Sequence, residues 1–390
     1  RKIQKYFNQV LVMNKTIGIF TTTRAEFGAY IPLIHAIDKV DELDYLLFVG
    51  GAHLLNEYGN TIDEIKNTGA KVTKVFDYLL NENTTHSIVK SCGQGLTKLA
   101  SIFEEHKFDL TCFAGDRYEL LPIALGSILY GKPIIHLYGG EVTEGVIDDQ
   151  IRHMLTKSAH IHFSSCEPYA KNIKKMGEEN WRVHSVGELV IDNVKNVKKI
   201  DKNKLFSKIG INPKNETVLL TYHPESLKPN SSPVKQLECI VKSLKNYEYQ
   251  VVITAPNVEV GSNELLAYIN KLVKVDSKFT FIPSLGIMRY YNLLPHCKFV
   301  IGNSSSGLLE APYFKIPTIN VGYRQKGRIL HQSVINTECN ENKISAAIKK
   351  TNSKIFKKVV RNMKFKFGNG RAAEQIVSVL KNIELGKKLY

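Results

Sequence analysis

GDRYE at 115–119 sets an acid, a base and a second acid within a few residues, where the apolar run DLTCFAGD (109–116) ends. There Asp116 is a candidate to meet a substrate hydroxyl or carbon acid, with Arg117 tuning its charge. The plainer alternative is an Asp helix cap beside a surface ion pair. The next stretch, HLYGGEVTEGVIDDQIRHMLTKSAHIHF (136–163), is unusually rich in ionisable groups. Gly139 and Gly140 allow a tight turn that presents Glu141 just past a buried strand. Asp148 and Arg152 are four residues apart, as are Asp149 and His153, so each pair is expected to share a helical face. Surface pairs of that kind are weak, and they leave Glu141 and Asp116 at neighbouring strand ends unexplained. Asp116, Glu141 and Asp148, converging on one cleft, can be driven apart in pKa and so supply both a base and an acid for proton chemistry. His160 and His162 share a strand face but lack a third ligand of suitable spacing, so no metal is expected.

Other turns suit phosphate. TTTRAEFG (21–28) follows the first apolar run and opens a helical pattern, where free N–H groups and the Arg24 guanidinium can meet an anion. It carries no GxGxxG, so a dinucleotide fingerprint is absent. TYHPES (221–226) offers His223 at a strand end, and TAPNVEVGS (254–262) offers Asn257 at the next. In NSSSGLLEAP (303–312), the small residues Ser304, Ser305 and Ser306 allow backbone N–H groups close to phosphate, and Glu310 on the following helix can take ribose hydroxyls. GYRQKGR (322–328) places Arg324, Lys326 and Arg328 around a turn. A plain serine-rich connection and an ordinary basic loop are the alternatives.

Positioning these turns requires strands. Short apolar runs ending in Gly, Ser, Thr or Asp, each followed by an amphipathic stretch, have the rhythm of parallel βα units. In the first half they are TIGIF (16–20), DYLLFVGG (44–51), DLTCFAGD, KPIIHLYGG (132–140), HIHFSS (160–165) and RVHSVGE (182–188), with a helix expected near 88–105. In the second half they are TVLLTYHP (217–224), YQVVITAPN (249–257), FTFIPS (279–284), KFVIGNSSSG (298–307) and IPTINVG (316–322). The pattern lapses at NVKNVKKIDKNK. The expected organisation is an extension over 1–12, a doubly wound α/β domain over 13–192, an exposed linker over 193–204, a second such domain over 205–370, and a closing helix and tail over 371–390. Ligands of open parallel sheets bind beyond the strands' carboxyl ends, so the site is expected in the cleft between the two halves.

The composition agrees with a globular chain: 390 residues, 43% hydrophobic and 23% charged, with no apolar run long enough to span a membrane. The net charge is +16, but residues 1–12 and 341–390 hold most of the surplus, so the body is close to neutral and nucleic-acid binding is not expected. Six cysteines without CxxC spacing suit reduced thiols and a cytoplasmic protein.

Taken together, TTTRAEFG, GGAH (50–53) with YGNT (58–61), GDRYE, GGEVTEGVIDDQIRHMLTKSAHIHF, HPES, NSSSGLLEAP, GYRQKGR and GNGRAA (368–373) resemble the UDP-N-acetylglucosamine 2-epimerase family. The resemblance is closer to the hydrolysing branch that serves bacterial sialic acid synthesis. TTRAE and Leu308-Leu309-Glu310 stand where the nonhydrolysing branch usually has GTRPE and a Gln-Glu-Glu run. The resemblance implies a GT-B-like architecture, a UDP-sugar substrate, no cofactor, and a homodimer or homotetramer with no membrane partner. It implies elimination of UDP through a 2-acetamidoglucal, then hydration that releases N-acetylmannosamine. On this chain the family's catalytic carboxylates fall at Asp116, Glu141 and Asp148, and the histidine assisting phosphate departure at His223. Arg24, Ser304, Ser305, Ser306 and Glu310 fall at nucleotide-binding positions and Arg152 lines the site. His53, Arg117, His153, Asn257, Arg324 and Lys326 complete the candidate binding set. Competing expectations are the same reaction on UDP- or GDP-diacetylbacillosamine, a GT-B glycosyltransferase, and a nucleotide-sugar sensor.

Overall fold

A computed structural model describes residues 14–55, 61–80, 84–144, 146–225, 232–257, 259–386 and 389. The expected extension 1–12 lies outside them, as do Tyr58, Gly59 and Asn60 of YGNT and Ser226 of HPES. The first half runs β1 (Lys15–Thr21), α1 (Arg24–Ile37), β2 (Leu43–Gly50), α2 (Ile62–Asn67), β3 (Val72–Phe76), α3 (Thr85–Glu105), β4 (Leu110–Ala114), α4 (Leu121–Leu129), β5 (Ile134–Leu137), α5 (Asp148–Ser158), β6 (Ile161–Ser164), α6 (Glu167–Lys175), β7 (Val183–Ser185) and α7 (Leu189–Asn196). The second runs α8 (Lys202–Lys208), β8 (Thr217–Thr221), α9 (Pro233–Lys245), β9 (Gln250–Thr254), α10 (Ser262–Val275), β10 (Phe279–Phe281), α11 (Gly286–Leu293), β11 (Cys297–Gly302), α12 (Ser306–Tyr313), β12 (Thr318–Val321), β13 (Val334–Thr337), α13 (Glu341–Asn352), α14 (Lys354–Asn362) and α15 (Ala372–Asn382).

Among the described residues the strands form two wholly parallel sheets, ordered β3-β2-β1-β4-β5-β6-β7 and β10-β9-β8-β11-β12-β13. Central strands such as β4 and β8 are buried at every residue because helices cover both faces, which makes their sequences continuous apolar runs. Winding reverses between β1 and β4 and between β8 and β11, opening a crevice at each reversal. The two strands missing from the sequence reading, β3 and β13, are both sheet edges. Their partly exposed faces carry residues such as Lys74 and Asn336, so neither reads as an apolar run.

One connection differs from expectation. The expected exposed linker 193–204 starts inside α7, where Asn193 is buried and its side-chain amide donates to the Gly28 carbonyl. Only 197–201 separates α7 from α8. The closing helix α15 returns to the first sheet and buries Ala372, Ala373, Ile376, Val377 and Leu380 in the same core as Ile17, Ile19 and Leu110. Asp192 caps it from α7 by accepting from the Ala372 and Ala373 amides at 3.2 and 2.8 Å. Lys15 Nζ donates to the Leu380 and Lys381 carbonyls at its other end. No helix among the described residues is long and apolar enough to cross a membrane.

Candidate active site

The carboxyl ends of β1, β4 and β5 face those of β8, β9 and β11 across a cleft of about 280 Å³. Asp116 leaves β4 after Gly115, whose carbonyl accepts from His136 Nε2 at 2.7 Å. Burial pushes His136 down to about 3, so the ring is neutral and fixes this turn as a donor. Gly140 has φ +78 and sits where a Cβ would run into the Tyr169 carbonyl, so only glycine lets the chain turn Glu141 into the cleft.

Arginines arrange the acids. Arg152, 1% exposed, pairs with Asp116 and Asp149 and donates to the Glu141 carbonyl and to Thr143 Oγ1. It therefore sits behind the acids and does not line the cleft. Its partner on α5 is Asp149, while Asp148 turns instead to Arg117 at 3.4 Å. From the opposite lobe Arg328 reaches Glu141 at 2.8 Å and Asp116 at 3.9 Å. Arg117 also meets Glu259 across the cleft at 2.9 Å, and Arg324 meets the same Glu259 oxygen at 3.1 Å.

These contacts split the carboxylates. Burial opposes charge on Asp116, but Arg152, Arg328 and Arg117 outweigh it and hold the carboxyl below its ordinary range. Asp148 is raised, because burial and the nearby Asp116 and Glu259 charges exceed the help of Arg117. The two carboxyls are thus shifted in opposite directions within one cleft.

The opposite wall suits phosphate. Ser304, Ser305 and Ser306 stand at the start of α12, where backbone N–H groups are free of helical partners. Gly302 before them has φ +132, with the Thr221 carbonyl where a Cβ would lie. Glu310 accepts from the Tyr291 hydroxyl at 2.8 Å and is raised by burial. Asn303 clamps His223, accepting from its amide at 2.7 Å and donating to its carbonyl at 2.8 Å. His223 Nδ1 accepts from the Asn257 amide at 3.0 Å. Burial, then Arg324, pushes His223 down to about 3, so the neutral ring carries its proton on Nε2. Arg24 lines the cleft from the first lobe and donates to the Pro283 carbonyl of the second at 2.7 Å. His53 lines it too, with its ring nitrogens on Thr21 and Thr61 hydroxyls.

Two expected binding residues point away. The His153 side chain is 39% exposed and faces Asp149 at 3.6 Å, and Lys326 is 62% exposed and pairs with Glu144 at 2.6 Å. Their residue type suggested the site, but helix and turn geometry direct them outward. From the same turn, Arg324 reaches Glu259 and Arg328, two residues beyond Lys326, reaches Glu141 and Asp116. Glu188, Glu259, Tyr290 and Tyr291 are not singled out by the sequence. The runs ending RVHSVGE and TAPNVEVGS carried both acids, but nothing in the spacing separated them from surface acids. His160 and His162 diverge: His160 Nδ1 accepts from the Ile134 amide, and His162 Nε2 lies 3.3 Å from Glu178.

Two doubly wound lobes with a phosphate-suited turn on one and paired acids on the other define a GT-B-like enzyme. Residues 35–381 match the family model described as UDP-N-acetylglucosamine 2-epimerase. The chain is 36% identical over 347 residues to the hydrolysing GDP/UDP-N,N'-diacetylbacillosamine 2-epimerase of Campylobacter jejuni, covering 88% of this chain and 89% of that one. It is 30% identical to polysialic acid biosynthesis protein P7 of Escherichia coli, covering 94% of each. Its fold matches that of the Neisseria meningitidis UDP-GlcNAc 2-epimerase bound to UDP-GlcNAc with a TM-score of 0.79, at 17% identity and 94% and 99% coverage. The chain belongs to the UDP-N-acetylglucosamine 2-epimerase family, and these relatives place it in the hydrolysing branch, among enzymes acting on nucleotide sugars.

Proposed function

We propose that this chain converts a UDP-linked 2-acetamido sugar into UDP and the free 2-epimer, with UDP-N-acetylglucosamine giving N-acetylmannosamine. The nucleotide lies against Ser304–Ser306 and Glu310, and the sugar against Asp116, Glu141 and Asp148. UDP leaves C1 with the bonding electron pair, and His223 Nε2–H donates to the departing phosphate. Positive charge growing at C1 acidifies the C2 hydrogen, so an ionised carboxylate of modest basicity, Asp116, takes that proton and leaves a C1–C2 double bond. Water then adds its oxygen to C1 and gives its proton to a carboxylate, while Asp148 supplies a proton to C2 from the other face. The observation that carries this reading is the opposed pKa shifts of Asp116 and Asp148, which line one cleft with the neutral His223.

The proposed lobes are 13–192, with the returning helix, and 205–370. The six cysteines are free, which suits a reducing, cytoplasmic setting. A homodimer is supported by Leu125, Ile128, Leu129 and Met154, exposed together on α4 and α5. Proton and phosphorus NMR in deuterated water tests the reaction: free UDP plus N-acetylmannosamine deuterated at C2 is expected, and UDP release without an epimeric sugar overturns it. The 36% identity to the Campylobacter protein favours a second reading, the same chemistry on a diacetylbacillosamine nucleotide. Competition between the two sugars decides, because a site that hydrogen-bonds a hydroxyl rejects analogues lacking it.

A further inference from the structure

Glu188 belongs to none of the ion pairs described above. It sits between β7 and α7, is 2% exposed and lines the cleft, and its Oε1 has no hydrogen-bond partner among the described residues. Its backbone is anchored from behind: its amide donates to the Phe367 carbonyl at 3.0 Å, and Gly187 packs against Gly368. The carboxyl therefore has a fixed origin on the cleft wall, beside Ser165, and keeps one buried oxygen unmet, which a buried site retains at a cost unless a ligand supplies the partner.

The surroundings define that partner. Glu141 faces Glu188 from the loop after β5, and Ser165 Oγ donates to Glu141 Oε1 at 3.3 Å. Arg328 approaches from the second lobe but is committed to Glu141 at 2.8 Å. Glu310 of α12, Tyr138 and Cys166 are further titratable groups around it. Burial first, then Glu141, pushes the Glu188 carboxyl up to about 8, so at neutral pH it is a carboxylic acid with an O–H to give. A phosphate is repelled by this acidic neighbourhood, whereas a neutral sugar oxygen is not.

We propose that Glu188 is a substrate-binding residue whose carboxylic O–H donates a hydrogen bond to an acceptor oxygen of the sugar, beside Glu141. This deepens the proposed function and rests on it, since it requires the sugar to lie on that side of the cleft.

Steady-state kinetics with UDP-N-acetylglucosamine and the diacetylbacillosamine nucleotide, alongside calorimetry with UDP alone, test it in the wild type, E188Q and E188A. E188Q keeps a neutral donor at every pH, and E188A removes it. In the wild type KM is expected to rise above about pH 8 as the acid ionises. E188Q keeps KM within about threefold at pH 7 and loses the alkaline rise. E188A raises KM about 10- to 100-fold at pH 7, with a smaller change in kcat and unchanged UDP affinity. A wild type that turns over either sugar while E188A matches it, or while E188Q keeps the alkaline rise, overturns this assignment and leaves the proposed function standing. If E188A does not fold, the E188Q profile decides. A folded wild type that neither binds nor turns over a UDP-sugar overturns the proposed function and this assignment with it.

Discussion

Replacing Arg328 with methionine isolates the contribution of the second lobe to the acids of the first. The guanidinium, 12% exposed, lies 2.8 Å from Glu141 and 3.9 Å from Asp116. Methionine keeps much of the stem but leaves Glu141 without its close cation and Asp116 with Arg152 as its main one. Removing one partner of a buried, hydrogen-bonded charge pair costs about 2–5 kcal/mol. Part of that cost is recovered where water enters the open side of the cleft, so about 2–3 kcal/mol is expected in the transition state. This corresponds to a fall in kcat/KM of about 30- to 150-fold. The sign of the pH effect follows from Asp116: losing Arg328 weakens the hold on its charged form, its pKa rises, and the acidic limb of kcat/KM moves to higher pH. Continuous measurement of UDP release from pH 3 to 9 reads both effects, with K326M as the control. Lys326 is mostly exposed on Glu144, so K326M is expected within about twofold of wild type. An R328M enzyme within threefold of wild type, or a K326M enzyme as damaged as R328M, would refute the placement of charge at this cleft.

Asp116→Asn and Asp148→Asn should each slow turnover about 100- to 10,000-fold, in different ways. NMR of the D148N reaction is expected to show the unsaturated sugar accumulating and D116N none; identical product patterns would remove the division of roles. Glu26 gives a stability test, since burial raises its carboxyl from 4.5 to about 8. The folded protein then holds a proton that the unfolded chain releases between those values. This contribution is fully present below about pH 4.5 and is lost as pH rises through about 8. Glu26→Gln should therefore gain on wild type by up to about 5 kcal/mol between pH 5 and 9, read as a growing difference in denaturation midpoint; a constant difference contradicts it. Leu129→Glu, at the 70% exposed end of α4, should convert a dimer to monomers in light scattering, and a monomeric wild type would remove the proposed interface.

Both sheets were legible because their central strands are covered on two faces and appear as unbroken apolar runs. The edges β3 and β13 were not, because one-sided burial leaves Lys74 and Asn336 in the pattern. Asp116, Glu141 and His223 stand out in the sequence because each follows a strand end, and Asp148 because it opens an ion-rich helix; all four line the cleft. Arg328 and Lys326 have the same charge and neighbouring positions, and only the turn's geometry separates them. Glu188 and Glu259 face acids and arginines contributed by other loops, a relation that spacing along the chain does not contain. The pairing of Arg152 with Asp116 rather than Asp148 shows the same limit, because a tertiary contact displaced the expected helical neighbour.

The return of α15 to the first core bears on how the polypeptide is assembled. The β8–β13 lobe is continuous in sequence, so it can close as soon as its own residues leave the ribosome. The β1–β7 lobe is made first but lacks Ile376, Val377 and Leu380 from its core until the β8–β13 lobe has been synthesised. Order of synthesis and order of completion are therefore opposed. A nascent chain halted before Ala372 would carry a finished second lobe tethered to a first one with an open apolar seam, the form most exposed to chaperones and proteases.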